Sequence, residues 1–172
     1  MHNLIAINGP QSGVGECPAI EWKPLKSPCG SIGTEIGIYH WPFCSFCSYW
    51  KGVDKEKYLA NSQWLAGLNN DKAPNATRRA NMVSLNKYMA TYSTEDHIVQ
   101  PPQSAWHTYW AWGDTSRGKV LNLRDTEGYK EDLLGIKSLD QRGALILNHY
   151  EGGHVAYNAS WWNQTVLPFF AD

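Results

Sequence analysis

The sequence predicts an α/β domain built on a mostly parallel sheet with helices on its faces, and three stretches carry that expectation. Leu4 to Ile7 is a short, continuously apolar run, and Ala144 to Leu147 is another. Both are too brief for helices and both lead into turn-forming residues, so they read as strands buried on both faces, as parallel sheets require. Tyr88 to Tyr92 reads as a third strand, preceded by the helical pattern of Thr77 to Lys87, where Ala80, Val83 and Leu85 alternate with Arg78, Arg79, Asn86 and Lys87.

Taken in order, the first strand ends in Asn8, Gly9, Pro10, Gln11, Ser12 and Gly13, a dense cluster of turn formers. From Val14 to about Asn75, Gly, Pro, Cys and aromatic residues dominate, and no period persists until Val53 to Leu68. Structureless connections beyond roughly 12 to 15 residues are uncommon, so this stretch reads as an inserted lid or cap. Beyond the double proline Pro101-Pro102, Gln103 to Trp112 reads as a short helix or turn packing Trp106, Tyr109 and Trp110. Lys119 to Arg124 reads as an edge strand, Tyr129 to Leu134 as a short acidic helix or turn, and Ile136 to Arg142 as a connection. Trp161 to Phe170 reads as a closing amphipathic helix that buries Trp161, Trp162, Val166, Phe169 and Phe170.

Composition excludes several classes of function. A net charge of −1 with both signs scattered offers no electrostatic footprint for nucleic acid or an anionic membrane. No apolar run approaches the roughly 20 residues of a bilayer span, so no transmembrane helix is expected. Nine Trp and nine Tyr can build a core, line a groove for acyl chains or stack on sugars.

The cysteines Cys17, Cys29, Cys44 and Cys47 share one region, and sequons stand at Asn75, Asn158 and Asn163. Together they point to the secretory pathway and to disulfides, with three pairings open. Cys44-Ser-Phe-Cys47 has the spacing of a metal or redox pair, but no second such pair accompanies it, so no metal and no cofactor are expected. The amino terminus lacks the charged and apolar segments of a signal peptide. Met1 is therefore read as lying inside a longer ancestral sequence.

Ligands in open α/β sheets sit at the carboxyl ends of strands. Asp96 follows the strand Tyr88 to Tyr92, and His154 follows the run ending in Asn148, through His149, Tyr150, Glu151, Gly152 and Gly153. A lone loop histidine is ordinarily a solvated side chain, so His154 gains weight only through its partner. Acid then histidine is the order of the second and third members of the α/β-hydrolase triad. In that division of labour histidine moves the proton of a serine and the carboxylate orients the imidazole. Glu95 and Glu151 are alternative carboxylates, and His97 and His149 alternative bases. No G-x-S-x-G nucleophile elbow is present, and Gly30-Ser31-Ile32-Gly33, the nearest approach, is off by one position.

Several stretches resemble the palmitoyl-protein thioesterases: Asn3-Leu4-Ile5-Ala6-Ile7-Asn8-Gly9 with Gly13-Val14 and Cys17-Pro18, then Ser93 to Pro101 with Ser104-Ala105-Trp106, Tyr129 to Asp140, Glu151-Gly152-Gly153-His154 and Leu167-Pro168-Phe169-Phe170. The resemblance runs in order over essentially the whole chain and covers the later part of that family's domain. It implies the carboxyl-terminal portion of an α/β-hydrolase of the lysosome or secretory pathway that removes palmitoyl groups from S-acylated proteins. It implies Asp96 as triad acid, His154 as triad base, and a serine elbow in an amino-terminal half preceding Met1. Residues 14–78 are implied as the cap insertion that holds the acyl chain, and Asn75 as a glycosylation site. The cysteine-rich stretch Lys23 to Cys47 departs from the family's pattern. Two further readings stand beside the hydrolase: a truncated pseudoenzyme or lipid-binding protein that keeps the groove, and a carbohydrate-binding module.

Overall fold

The computed structural model describes residues 2–17, 35–40 and 45–170. Its sheet has three parallel strands in the order β1-β2-β3, namely β1 Asn3–Ile7, β2 Lys87–Ser93 and β3 Leu145–Tyr150. The register sets Ala6 beside Ala90 and Ala90 beside Leu147. Because side chains alternate between faces, Leu4, Ala6, Tyr88, Ala90, Leu145 and Leu147 share one face. There they join Leu85, Ile136, Leu139 and Ala144 in a single core. The central strand β2 is buried almost throughout, whereas all five residues of β1 and the first four of β3 are half-buried. Among the described residues each outer strand pairs along one edge only.

The helices among the described residues are short: α1 Glu35–Tyr39, α2 Lys55–Asn61, α3 Leu65–Leu68, α4 Ala76–Val83, α5 Glu127–Lys130, α6 Ile136–Gln141, α7 Ala159–Trp161 and α8 Leu167–Phe170. A π-turn, Trp162–Val166, joins the last two. Side-chain caps start several of them: Asp54 accepts from Lys57 N at 3.0 Å, Asn75 from Arg78 N at 2.9 Å and Asn158 from Trp161 N at 2.8 Å. A second core gathers Val14, Trp50, Tyr58, Leu65 and Ala66 around Cys47, apart from the sheet core. Val14 and Trp50 form a lone parallel bridge there. Gly13 stands at φ 91°, and a Cβ on it would fall 2.7 Å from the Tyr49 carbonyl oxygen, so only glycine lets the chain enter this core. Neither Cys17 nor Cys47 is a free thiol. Cys29, Cys44 and Ser31 lie outside the described residues.

Four readings of the sequence need correction. Lys119 to Arg124 is not a strand: Val120 makes one isolated bridge to Trp110, and the chain then tightens into a 3₁₀ turn at Leu123–Asp125. The Leu123 carbonyl accepts from both Thr126 N at 3.1 Å and Thr126 Oγ1 at 2.7 Å, which commits it locally and removes it from any ladder. The expected connection from Ile136 to Arg142 is instead helix α6, whose Ile136 and Leu139, three apart, both enter the sheet core. The helix expected from Thr77 to Lys87 is α4, which ends at Val83. Asn86 N donates to His2 O at 2.8 Å, drawing the chain into the sheet. In the closing helix Val166 and Phe169 are buried and Trp161 and Trp162 half-buried, but Phe170 is 63% exposed.

Candidate active site

All three strands point the same way, so their carboxyl ends share one edge, and three polar side chains meet there. Asn8 follows β1, Asp96 lies three residues beyond β2 and His154 four beyond β3. The loops are tied to one another before any side chain contributes. Thr94 N donates to Tyr150 O at 3.0 Å and Glu95 N to Gly152 O at 3.1 Å, while Ser93 Oγ also donates to the Gly152 carbonyl. Gly152 adopts φ 129°, a backbone region that side chains rarely tolerate, and this lets β3's loop fold back over β2's.

Asp96 is 2% exposed and every lone-pair direction of its carboxylate is engaged. Oδ1 accepts from the backbone N–H groups of Ile98 at 2.8 Å and Val99 at 3.0 Å, an Asx turn that fixes the carboxylate plane. Oδ2 accepts from Asn8 Nδ2 at 2.7 Å and meets His154 Nδ1 at 2.8 Å, across 58 residues of sequence. Burial alone would raise this carboxyl, but the hydrogen bonds from His154, Val99, Asn8 and Ile98 outweigh it and hold the group below the ordinary carboxylate value. Asp96 is thus ionised, and an ionised carboxylate only accepts. His154 Nδ1 therefore donates this hydrogen bond, and in the neutral imidazole that tautomer leaves Nε2 as the acceptor. The imidazole is 32% exposed, so one flank is locked and the other is open.

Asn8 is buried at φ 53°, in the left-handed region that asparagine tolerates better than most residues. Its Oδ1 accepts from Tyr150 Oη at 2.7 Å, and burial pushes that phenol up, so it remains a donor. The amide orientation is set by this chain of contacts: oxygen towards Tyr150, nitrogen towards Asp96. Sequence reasoning missed both Asn8 and Tyr150, although Asn8 could have been found by the same strand-end argument that selected Asp96.

The remaining candidates separate cleanly. Glu95, His97 and Glu151 are exposed, and none has a side-chain hydrogen bond to Asp96 or His154. His149 lies within β3 and stacks on Tyr92 at 5.7 Å between ring centroids, away from the carboxylate. Asn75, Asn158 and Asn163 are all exposed. Among the described residues no cluster of three metal-ligating side chains forms, and no helix is long and apolar enough to cross a membrane.

A buried carboxylate hydrogen-bonded to one edge of an imidazole is an arrangement for moving protons, and the chain that carries it is similar to known proteins. A family model for palmitoyl protein thioesterase matches residues 1–154. The chain belongs to the palmitoyl protein thioesterase family. Palmitoyl-protein thioesterase 3 of Dictyostelium discoideum is 34% identical over all of this chain and 61% of its own length. Palmitoyl-protein thioesterase 1 of Caenorhabditis elegans is 28% identical over 90% of the chain and 53% of its own length. A lysosomal thioesterase of Xenopus laevis is 32% identical over 74% and 43% respectively. The chain spans less than two thirds of the length of these thioesterases. Its parallel three-stranded sheet with flanking helices is a partial α/β-hydrolase fold of the palmitoyl protein thioesterase family.

Proposed function

We propose that this chain supplies the acid and the base of a serine thioesterase that hydrolyses long-chain fatty acyl thioesters, palmitoyl above all, on S-acylated proteins. The observation that carries the reading is the 2.8 Å contact between Asp96 Oδ2 and His154 Nδ1. With Nδ1 committed to the carboxylate, Nε2 takes the proton of a serine hydroxyl as it attacks the thioester carbonyl, and returns it to the leaving sulfur. Asp96 keeps the tautomer and stabilises the imidazolium formed in between. Asn8 holds Asp96, and Tyr150 holds Asn8. The serine belongs to a segment outside this sequence, which contains no G-x-S-x-G.

The second core, drawn mainly from residues between Val14 and Ala66, supports residues 14–78 as the cap over the acyl chain, with disulfides as its staples. Asn75 and Asn158 use their side-chain oxygens as helix caps, which leaves the amide nitrogens for glycans, and Asn163 is equally exposed. The lysosomal names of relatives such as that of Xenopus laevis support a place in the lysosome or secretory pathway. A non-catalytic lipid-binding protein is the second reading, favoured by the missing elbow.

The test joins this chain to the residues that precede the matched segment in the Dictyostelium relative and follows palmitate release from a palmitoyl thioester. Activity is expected, with Asp96→Asn and His154→Ala each lowering kcat on the order of 10⁴-fold. Activity indifferent to both substitutions would sink the proposal. The chain by itself is expected to show no serine-dependent burst.

A further inference from the structure

A cavity of about 390 Å³ opens between the second core and the α5–α6 region, and neither Asp96 nor His154 lines it. Lys51 does. This lysine is 8% exposed, and its Nζ stands 4.8 Å from the ring centroid of Trp112 and 5.1 Å from those of Tyr58 and Tyr109. Three aromatic faces stabilise an ammonium through their quadrupoles, yet they offer no lone pair for its N–H groups. Among the described residues no hydrogen bond or ion pair reaches Nζ. The two carboxylates of the cavity that favour its charge are committed elsewhere. Asp71 accepts from Tyr58 Oη at 2.9 Å, and Glu127 is held by Lys55 Nζ at 2.5 and 2.6 Å. Trp110, Leu121 and Ile136 add an apolar wall.

A buried cation without an acceptor among the described residues, facing a cavity with aromatic and aliphatic walls, specifies its complement: one negative charge with two acceptor oxygens on an apolar body. We propose that this cavity binds a small organic monoanion, an aromatic monocarboxylate, whose carboxylate pairs with Lys51 while its ring packs against Trp110 and Trp112. The charged groups around the cavity set the valence. Lys55 and Glu127 cancel as a pair, and Asp71, with Asp125 and Glu131 against Lys130 farther along the lining, opposes a dianion such as phosphate. His107, also on the lining, is half-buried, and desolvation together with nearby Lys51 draws it down to about 4, which keeps it neutral. Burial draws the Lys51 ammonium below its ordinary value against the pull of Asp71 and Glu127, and a bound carboxylate adds to that pull. The site is independent of the thioesterase reading and stands whether or not the chain takes part in hydrolysis.

The experiment is calorimetric titration of the intact chain with 3-phenylpropionate and with the uncharged 3-phenylpropanol. The carboxylate is expected to bind at least tenfold more tightly than the alcohol. Lys51→Met, which keeps the stem and removes the charge, should erase that preference and leave the alcohol's affinity unchanged. Equal binding of acid and alcohol by the wild type, or an undiminished preference in Lys51→Met, overturns the proposal. Wild-type protein alone decides the location: nuclear Overhauser contacts from the bound phenyl ring to Trp110 and Trp112 are expected, and their absence at saturation refutes the site.

Discussion

Asp96 and Lys51 are both charged side chains taken almost wholly out of water, at 2% and 8% exposure, and the fold treats them in opposite ways. Asp96 receives four hydrogen bonds, two from backbone and two from side chains brought in by the ends of other strands. Lys51 receives aromatic faces and, among the described residues, no acceptor. The first is a finished network, in which burial strengthens every contact and the ionised form is held below its ordinary value. The second is an unfinished one, in which burial works against the charge. The difference separates a group held ready in a fixed protonation state from one whose counter-ion is left to come from outside.

Removing the finished charge should have the largest effect on stability. Asp96→Ala leaves the Asn8 amide and two backbone N–H groups without their acceptor and is expected to cost about 3 kcal/mol in urea denaturation. A loss under about 1 kcal/mol would mean that these donors find water, and that the network is looser than its geometry.

Acid sharpens the contrast between the two regions. His107 lines the Lys51 cavity, and its Nε2 stands at hydrogen-bond distance, 3.0 Å, from Tyr88 Oη. Burial draws His107 down from 6.5 to about 4. Between those values the unfolded chain binds a proton that the folded chain refuses. Stability should therefore be full above pH 6.5 and fall as pH drops towards 4, by about 3 kcal/mol. Asp96 is depressed, so its contribution is intact above 3.8 and is lost only as pH falls through its lower folded value. Thermal melts from pH 7 to 4 should thus show a loss that His107→Asn flattens and that substitution at Asp96 leaves in place. A pH profile unchanged by His107→Asn would place the acid sensitivity elsewhere.

The smallest effect has the opposite sign. For Lys51 the unfolded chain holds a proton below 10.5 that the fold disfavours, so at neutral pH the buried ammonium weakens the free protein. Lys51→Met should raise stability by about 1 kcal/mol in the absence of ligand. Destabilisation of similar size would show that the aromatic contacts outweigh burial, and would remove the contrast with Asp96.

What the sequence by itself determined was local. Leu4 to Ile7, Tyr88 to Tyr92 and Leu145 to Leu147 show their strands because a parallel-sheet strand is largely apolar in consecutive positions, although only the central β2 is mostly buried here, and the turn formers after each mark where its carboxyl end lies. Strand ends in a parallel sheet share an edge, so Asp96 and His154 could be named as neighbours without any coordinates. Tertiary structure decided which atoms meet. Asn8 stood at a strand end like Asp96, but that its amide bridges Asp96 and Tyr150 follows only from the parallel register that brings β1 and β3 to either side of β2. Helix α6 depends likewise on Ile136 and Leu139 finding the sheet core. Lys51, in the run Tyr49-Trp50-Lys51, reads as an ordinary surface lysine. Its burial comes from Tyr58 on α2 and from Tyr109 and Trp112 on a second, distant segment, and packing over such a separation follows from the assembled cores.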